Sequence, residues 1–371
     1  MGDLTDLEID RPTRSATQLA RDRITRLMAL VRRYPDAVEL DDQKQPARKG
    51  IILLLDADAS AIATARQLGF VATASEDMGN LDLSVAELAV PQGMSLRRAL
   101  ATLRKALPDR TITADQIHFR SGAVSVVQAA STTPPLPSIA TKVGVIDGGV
   151  APVVPTADAK GFAKGSVTPS DHGTAIASLL RHAGVTRIVS ADVYGSDPAG
   201  GNALAIARAL DWMTGQKVPV ISISLVGPRN PLLERAVAVT RRQGAVLVAA
   251  VGNDGPSAPP AFPASYTQVV AVTGVDGRDR ALIEAGRALH LDYAAPGADM
   301  KALDRQGKTH AVRGTSFAAP LVAARIAAAL DRGVDSGKLR ATIDLEAQDL
   351  GKKGPDKTFG RGLLCGNCRP R

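Results

Sequence analysis

The chain contains 371 residues, of which 45% are hydrophobic and 3% aromatic, and it carries a formal net charge of +8 with an isoelectric point near 9.6. A single hydrophobic core rarely grows beyond about 250–300 residues, so the chain is long enough for two domains. Acidic residues are interspersed with the basic ones and no basic patch carries aromatic residues, which disfavours a nucleic-acid partner. The sequence contains no run of about 18 apolar residues, so it predicts no transmembrane helix.

The first segment, residues 1–49, is predicted to be an amphipathic helical extension. Apolar side chains recur at helical spacing between residues 18 and 33, with arginines between them. We expect this helix to pack on the rest of the chain, and binding to a membrane surface is the alternative. The start, Met1-Gly-Asp, has neither the basic residues nor the apolar core of a signal peptide.

Residues 50–120 are predicted to form a separate small domain. Helix N-caps are expected at Asp58 or Ser60 and at Ser95, because Asp and Ser side chains accept hydrogen bonds from the first free backbone N–H groups. The β-α-β-β-α-β order of the predicted elements indicates a ferredoxin-like α+β fold. Strands are expected at 50–55, 71–75, 83–90 and about 111–119, and helices at 61–68 and 96–107.

The spacing Asp56-x-Asp58-x-Ser60 contains part of a calcium-binding loop pattern. The glycine and the distal glutamate of that pattern are missing, so a helix cap is the better interpretation. We therefore expect no metal ligands and no cofactor, although a structural calcium elsewhere stays possible without a supporting motif.

Residues 121–140 are predicted to be a linker, since they are rich in Ser, Ala, Thr and Pro, most clearly at 132–137. The rest of the chain, residues 141–371, is predicted to be one larger domain.

Four short segments of the larger domain carry residue types that suit one reaction. A serine hydroxyl becomes nucleophilic when an adjacent imidazole accepts its proton, and that imidazole needs a carboxylate on its other nitrogen. An amide aimed at the reacting carbonyl stabilises the oxyanion that forms. The segments are Val-Gly-Val-Ile-Asp147-Gly-Gly, Asp-His172-Gly-Thr, Val-Gly-Asn253-Asp-Gly and Gly-Thr-Ser316-Phe-Ala-Ala-Pro320.

Each segment also predicts its own backbone. Residues 143–146 form an apolar run that indicates a buried parallel strand ending at Asp147. His172 is expected near the start of a buried helix. Ser316 is expected to open another helix over 317–330, with Pro320 tolerated because it lies in or near the first turn. Taken singly, these residues have ordinary explanations, such as a strand-end carboxylate, a hydrogen-bonded histidine or a helix cap.

In their order and wording, the four segments resemble the subtilisin-like serine peptidases (subtilases), over roughly residues 142–364. The order Asp, His, Ser differs from that of chymotrypsin and of the α/β-hydrolases. The resemblance implies an α/β fold with a doubly wound, mostly parallel sheet and the hydrolysis of polypeptides by a serine endopeptidase. It implies that Ser316 attacks, His172 transfers the proton, Asp147 orients His172, and Asn253 binds the oxyanion.

This chain departs from the usual subtilase wording at three positions near the proposed site. Gly148 stands where Ser or Thr usually follows the aspartate, Ala175 replaces a histidine, and Phe317 replaces a methionine. None of these changes removes a group that transfers a proton, so the resemblance still implies activity.

The resemblance also implies two walls of a substrate cleft. Val226 stands where the family often has glycine, so we expect a narrow pocket that favours small or medium apolar residues before the cleaved bond. The first wall consists of Ser224, Leu225, Val226 and Gly227, and the second wall of the main specificity pocket consists of Ala250, Val251 and Gly252.

Residues 50–120 resemble, in pattern, the inhibitory propeptides of subtilases. The resemblance implies a zymogen whose N-terminal domain inhibits its own peptidase domain, with self-cleavage between about Arg120 and Ala140. Zymogens of this family are mostly exported, so we expect a secreted or periplasmic protein whose signal is absent from this chain; a cytoplasmic location stays open.

Several alternatives compete with this interpretation. A subtilase fold without activity would act as a binding module. A dinucleotide-binding protein is prompted by the strand before Gly148-Gly149, but the full glycine fingerprint is missing. An α/β-hydrolase is disfavoured because Ser316 does not lie in Gly-x-Ser-x-Gly. Cys365 and Cys368 are expected to form a small disulfide loop or to remain thiols, since two ligands cannot complete a zinc site.

Overall fold

The structure is a computed structural model that describes residues 15–120, 123–128 and 136–370. Its helices are α1 (Ala16–Arg33), α2 (Ala59–Gln67), α3 (Leu96–Ala106), α4 (Asp171–His182), α5 (Ala203–Gly215), α6 (Pro231–Arg242), α7 (Thr315–Asp331) and α8 (Ser336–Glu346). Its strands are β1 (Val38–Leu40), β2 (Pro46–Leu55), β3 (Val71–Met78), β4 (Leu83–Ala89), β5 (Ile112–Gln116), β6 (Phe119–Arg120), β7 (Ala123–Gln128), β8 (Val143–Asp147), β9 (Asp158–Gly161), β10 (Ile188–Asp192), β11 (Val220–Ile223), β12 (Leu225–Val226), β13 (Val246–Ala250), β14 (Val269–Val275), β15 (Tyr293–Pro296), β16 (Met300–Leu303) and β17 (Thr309–Arg313).

A seven-stranded sheet forms the centre of the larger domain, in the order β15-β14-β13-β11-β8-β10-β9. Every neighbouring pair in it is parallel. Strands such as β8 and β13 are short apolar runs with every residue buried, as expected for a sheet that helices cover on both faces. The predicted α/β class with a mostly parallel sheet is confirmed.

Helices pack on both faces of this sheet. The side chains of α4 and α7 share one apolar core with the sheet residues Val143, Val145 and Val248. The side chains of α5 and α6 share a second core with Ile221 and Leu247, which point to the opposite face. Because side chains alternate along a strand, one sheet supports both cores and brings the ends of β8, α4 and α7 to a single edge.

The small domain contains an antiparallel sheet in which β2 pairs with β4 and β5, and β4 pairs with β3. The elements follow the predicted β-α-β-β-α-β order, and Asp58 and Ser95 cap α2 and α3. The sheet starts earlier than predicted, because β2 begins at Pro46 and also pairs with β1. The polar Arg48 concealed this part of the strand in the sequence; its guanidinium binds the carboxylates of Glu87 and Asp115 within the fold.

The small domain packs its sheet on helices α5 and α6. Leu53, Leu55 and Met78 belong to the same apolar core as those helices. The carboxylate of buried Asp115 accepts a hydrogen bond of 2.9 Å from the N–H of Leu204, in the first turn of α5. A carboxylate at a helix N-terminus is favoured by the free N–H groups and by the helix dipole, so this contact couples the two domains.

Helix α1 lies against the larger domain, as its amphipathic pattern predicted. Leu19 lies beside Gly255, and the guanidinium of Arg23 lies 3.2 Å from the carboxylate of Asp254. Arg26 forms a second ion pair with Asp254. Asp254 directly follows Asn253, so the helix is anchored next to the proposed site. In the part of the chain that is described, no helix has both the length and the apolar character needed to cross a membrane.

The segment predicted as a linker contains a strand. β7 pairs antiparallel with β17, with Ala123 opposite Arg313 and Val124 opposite Val312. The composition that predicts a linker did not reveal this strand, because its partner strand lies far away in sequence and leaves no local signal. Residues 129–135, which include most of the proline-rich part, lie outside the described residues.

The two cysteines near the end of the chain are joined. A disulfide links Cys365 and Cys368, the first of the two states that the sequence left open. The neighbouring Arg369 is buried, and its guanidinium binds the carbonyl of Asp276 and the carboxylate of Asp279.

Candidate functional site

Asp147 and His172 meet at the carboxyl edge of the sheet. His172 Nδ1 lies 3.0 and 2.9 Å from the two carboxylate oxygens of Asp147, which is fully buried. The N–H of Gly148 donates to Asp147 Oδ1 at 2.7 Å. An acidic partner on Nδ1 makes that nitrogen the donor, so Nε2 becomes the atom that can accept a proton. Nε2 has no hydrogen-bond partner among the described residues.

Ser316 lies in the first turn of α7, after Gly314 with a φ of +141°. Its hydroxyl donates to the carbonyl oxygen of Ser224 at 3.3 Å, and the Ser224 hydroxyl donates to the carbonyl oxygen of Ser316 at 2.9 Å. The ring of the next residue, Phe317, packs on the His172 ring with centroids 5.3 Å apart. The residue that follows the serine therefore contacts the histidine, and the serine hydroxyl is turned to the Ser224 carbonyl.

Pro320 lies in the second turn of α7, close to the first turn as predicted, because the helix begins at Thr315. Proline has no N–H, so the carbonyl four residues earlier loses its helical partner. That carbonyl belongs to Ser316, and the Ser224 hydroxyl supplies the missing donor. The helix tolerates Pro320 because a residue of the cleft wall completes its hydrogen bonding.

Asn253 is tied to the same helix end. Its Oδ1 accepts a hydrogen bond of 3.0 Å from the N–H of Thr315, the residue before Ser316. The hydroxyl of Thr315 in turn bonds to both the N–H and the carbonyl of Gly252, each at 3.1 Å. Because Oδ1 is engaged, the amide NH₂ of Asn253 is the part of this side chain that can donate to a ligand.

The residues of the two predicted walls also come together. The backbone of Gly227 exchanges two hydrogen bonds with Phe262, which fixes the end of the first wall. A Cβ built on Gly252 would lie 3.3 Å from Val226 Cγ1 and 3.8 Å from the Cβ of Ala261. Val226 thus fills space between the walls. Ser224, Leu225, Val226, Ala250 and Val251 are all buried.

The chain's own strand β6 occupies the first wall. β6 pairs antiparallel with β12, with Arg120 opposite Leu225 and Phe119 opposite Val226. The described chain resumes as β7, which pairs with the strand just before Ser316. The described backbone before and after residues 121–122 therefore pairs with β12 of the first wall and with β17, which precedes α7, as expected if the end of the small domain runs into a substrate site.

His118 and Arg120 are site residues that the sequence reasoning did not assign. His118 is fully buried against Gly227, where a Cβ would lie 2.5 Å from His118 Cδ2. Burial lowers the pKa of His118 to about 4, partly offset by the carbonyls of Gln116 and Pro228. Their position just before the predicted cleavage window was the available signal.

Arg120 and Ser170 both lie close to Gly148. The guanidinium carbon of Arg120 lies 4.2 Å from the centre of the Tyr194 ring, and its Nε lies 3.8 Å from Asp147 Oδ1. A Cβ on Gly148 would lie 2.8 Å from Arg120 Nη2 and would also collide with Ser170 Oγ. Glycine therefore leaves room both for Ser170, which comes closer, and for the arginine.

Within the described ranges, no group of three or more His, Cys, Asp or Glu side chains is placed to hold a metal ion. The residues at the site are a carboxylate, an imidazole, a hydroxyl and an amide. The fold and the site define a class of α/β proteins with a buried Asp–His pair and a helix-start serine at the carboxyl edge of a parallel sheet.

Comparison with known proteins identifies the family. Residues 139–362 match the model of the subtilase family, and the chain belongs to that family. The resemblance predicted from the four segments is thereby confirmed.

Individual relatives agree with this assignment. The chain is 28% identical to the minor extracellular protease Epr of Bacillus subtilis over 335 residues, which are 84% of this chain and 51% of that protein. It is 30% identical to thermitase of Thermoactinomyces vulgaris over 52% of this chain and 67% of the relative. The chain thus spans about half the length of the first of these relatives.

A solved structure shares the fold. The crystal structure of fervidolysin from Fervidobacterium pennivorans, described as a keratinolytic enzyme related to subtilisin, superposes with a TM-score of 0.69 at 17% identity. The match covers 87% of this chain and 61% of fervidolysin, so it extends well beyond the residues that match the family model.

Proposed function

We propose that this protein is a serine endopeptidase that is made as a self-inhibited zymogen. Ser316 is the nucleophile, His172 the general base and acid, and Asp147 the residue that orients the imidazole. Asn253 Nδ2 and the backbone N–H of Ser316 bind the oxyanion. The substrate is a polypeptide in extended conformation.

The chemistry follows from the groups present. The Ser316 hydroxyl rotates from the Ser224 carbonyl to His172 Nε2, which accepts its proton as the oxygen attacks the substrate carbonyl. The positive imidazolium is stabilised by Asp147, and His172 then donates the proton to the leaving amine. Water hydrolyses the acyl-enzyme by the same steps in reverse. Loss of one oxyanion donor typically lowers turnover by about 10²–10³-fold.

One observation supports this proposal above the others: the pairing of the chain's own β6 with β12 beside Ser316. Extended peptides bind proteins by adding a strand to a free edge, so β6 lies as a substrate would. The residue opposite Leu225 is Arg120, and a substrate in this register presents its next residue to Ser224, whose carbonyl contacts the Ser316 hydroxyl.

The same register suggests where the chain is processed. The residue after Arg120 is Ser121, and in this register it lies at Ser224, where the residue before the cleaved bond is expected. The cleaved bond is then the one between Ser121 and Gly122, which lies within the predicted window. We place self-cleavage at this bond. After cleavage the small domain keeps its contacts with α5 and α6 and so acts as an intramolecular inhibitor that must be released.

The pocket between the walls supports a preference for small or medium apolar residues before the cleaved bond. Val226 takes up the space next to Gly252 that a larger side chain would need. Ser121 is small and fits the same limit.

We propose that the protein is exported from the cell or to the periplasm. The first relative is named as an extracellular protease, and a disulfide such as Cys365–Cys368 persists in oxidising compartments.

Labelling with a fluorophosphonate tests the proposed function. The reagent should form a covalent adduct at Ser316 in purified protein, found by peptide mapping, and His172→Ala should abolish it. The adduct requires an activated serine, so a binding module with this fold would remain unlabelled. Absence of labelling in protein that has lost its first 121 residues would contradict the proposal.

A further inference from the structure

We propose that Asp147, Gly148 and Tyr194 form a subsite that binds an arginine side chain two residues before the cleaved bond of a substrate. The inference rests on the proposed function, because it assumes that residues paired like those of β6 precede a bond that Ser316 cleaves. The current occupant of this subsite is Arg120.

The surroundings of Arg120 select a cation of planar shape. The guanidinium lies 4.2 Å above the Tyr194 ring, within the range of a cation–π contact, and 3.8 Å from a carboxylate oxygen of Asp147. Only 12% of the Arg120 side chain is exposed. Removing a charge from water is costly unless the site compensates it, and here a ring face and a carboxylate provide that compensation.

The aromatic wall of the subsite is fixed in place by the fold. Tyr194 follows β10, whose last residue, Asp192, lies in register with Asp147 on β8. The buried carboxylate of Asp192 accepts hydrogen bonds from the N–H groups of Tyr194 at 3.0 Å and Gly195 at 2.9 Å. The backbone of the turn that carries the ring is therefore set by the larger domain itself, while the Tyr194 hydroxyl donates to the carbonyl oxygen of His118 in the small domain at 2.7 Å.

Gly148 leaves space beside the guanidinium. A Cβ at this position would lie 2.8 Å from Arg120 Nη2, and 2.4 Å from Oγ of Ser170 in the larger domain. Ser or Thr is the residue expected here from the subtilase resemblance, and either would fill the space. We assign Gly148 a role in specificity because a side chain here would crowd the guanidinium as well as Ser170.

Four peptides test the subsite directly. They share a small residue before the cleaved bond and carry Arg, citrulline, Lys or Ala at the preceding position. With protein that has processed itself and released its small domain, we expect kcat/KM for Arg to exceed that for citrulline by about tenfold, with Lys between them because an ammonium stacks less well. Equal values for Arg and citrulline would overturn the proposal.

Variants at Gly148 and Tyr194 show which residue causes the preference for Arg over citrulline. Gly148→Ala should abolish the preference for Arg over citrulline. Tyr194→Leu should lower the preference several-fold, whereas Tyr194→Phe should retain it because the ring face remains. A Gly148→Ala protein with the full preference would refute the role of this glycine.

A second measurement does not depend on activity. In the uncleaved Ser316→Ala chain, urea unfolding of Arg120→Ala, Gly148→Ala and the double variant forms a double-mutant cycle. Gly148→Ala should destabilise the chain with Arg120 more than the chain with Arg120→Ala, since the clash with Ser170 is common to both. Additive effects would contradict the proposed fit.

The two measurements separate the subsite from the proposed function. Equal cleavage of all four peptides would reject the subsite and leave the peptidase standing. Cleavage of none of them, together with coupling between Arg120 and Gly148, would reject the peptidase and leave the guanidinium contact standing.

Discussion

Ser224 and Ser316 exchange hydrogen bonds across the cleft, each hydroxyl donating to the other residue's carbonyl, at 2.9 and 3.3 Å. The shorter bond satisfies a carbonyl that Pro320 leaves without a helical donor. A residue of the substrate-binding wall therefore also holds the first turn of the helix that carries the nucleophile.

Ser224→Ala should remove the hydroxyl that donates to the buried Ser316 carbonyl, which costs about 1–3 kcal/mol of unfolding free energy. Urea unfolding in the Ser316→Ala background, where no self-cleavage occurs, measures this loss. Adding Pro320→Ala restores a helical N–H, so the Ser224→Ala/Pro320→Ala protein should recover part of it. No recovery would show that Pro320 is not the reason for the contact.

Val226→Gly should widen the main specificity pocket, because it removes the side chain that lies against Gly252. We expect the cleavage profile on a random peptide library to shift from small or medium apolar residues towards Leu and Phe before the bond. The cleavage profile of the Val226→Ala protein should lie between those of the wild-type and Val226→Gly proteins. A wild-type preference for Phe, Arg or Lys would contradict the proposed role of Val226.

Acid should release the small domain, because His118 is docked in its neutral form. Its pKa is about 4 when buried and near 6.5 when exposed, so protonation favours the released state. The affinity of the small domain for the larger domain is unaffected above pH 6.5 and falls as the pH drops towards 4. At pH 5 we expect the affinity to be about 30-fold lower. Gel filtration of the processed protein at pH 8 and at pH 5 measures how much of the small domain dissociates. His118→Gln should be less pH-dependent; an unchanged dependence would exclude His118 as the cause.

Asp254→Asn should loosen α1, because this carboxylate pairs with Arg23 and Arg26. The pairs are partly exposed, so we expect a loss of only about 1 kcal/mol, which decreases in high salt. Hydrogen exchange of the α1 amides measures the effect. Asp36→Asn is the matched control, because exposed Asp36 changes the charge equally and forms no ion pair among the described residues. Equal exchange in both variants would show that the pairs do not anchor α1.

Several residues of the site could be predicted because the short sequence segment around each of them indicates its position. Asp147 ends an apolar strand run, and both His172 and Ser316 start buried helices, so chain order and wording identified them. The position of Asn253 followed from a turn after a strand. Their convergence could be expected because strand ends and helix starts meet at one edge of a parallel sheet.

Other features depend on contacts between distant parts of the chain and could not be predicted. The strand β7 forms only because β17 lies beside it, some 190 residues further on, so composition alone indicated a linker. The role of Arg120 requires the register of β6 on β12, which no local pattern encodes. Helix α7 begins at Thr315, two residues before the predicted start, and the N–H of Thr315 donates to Asn253, which lies far away in sequence.

The mass and N-terminal sequence of the purified protein test the central claim most directly. Wild-type protein should separate into two fragments, with the larger one beginning at Gly122, and Ser316→Ala protein should remain intact under the same conditions. Cleavage of Ser316→Ala at the same bond, in protein free of other proteases, would contradict the claim that Ser316 cuts its own chain.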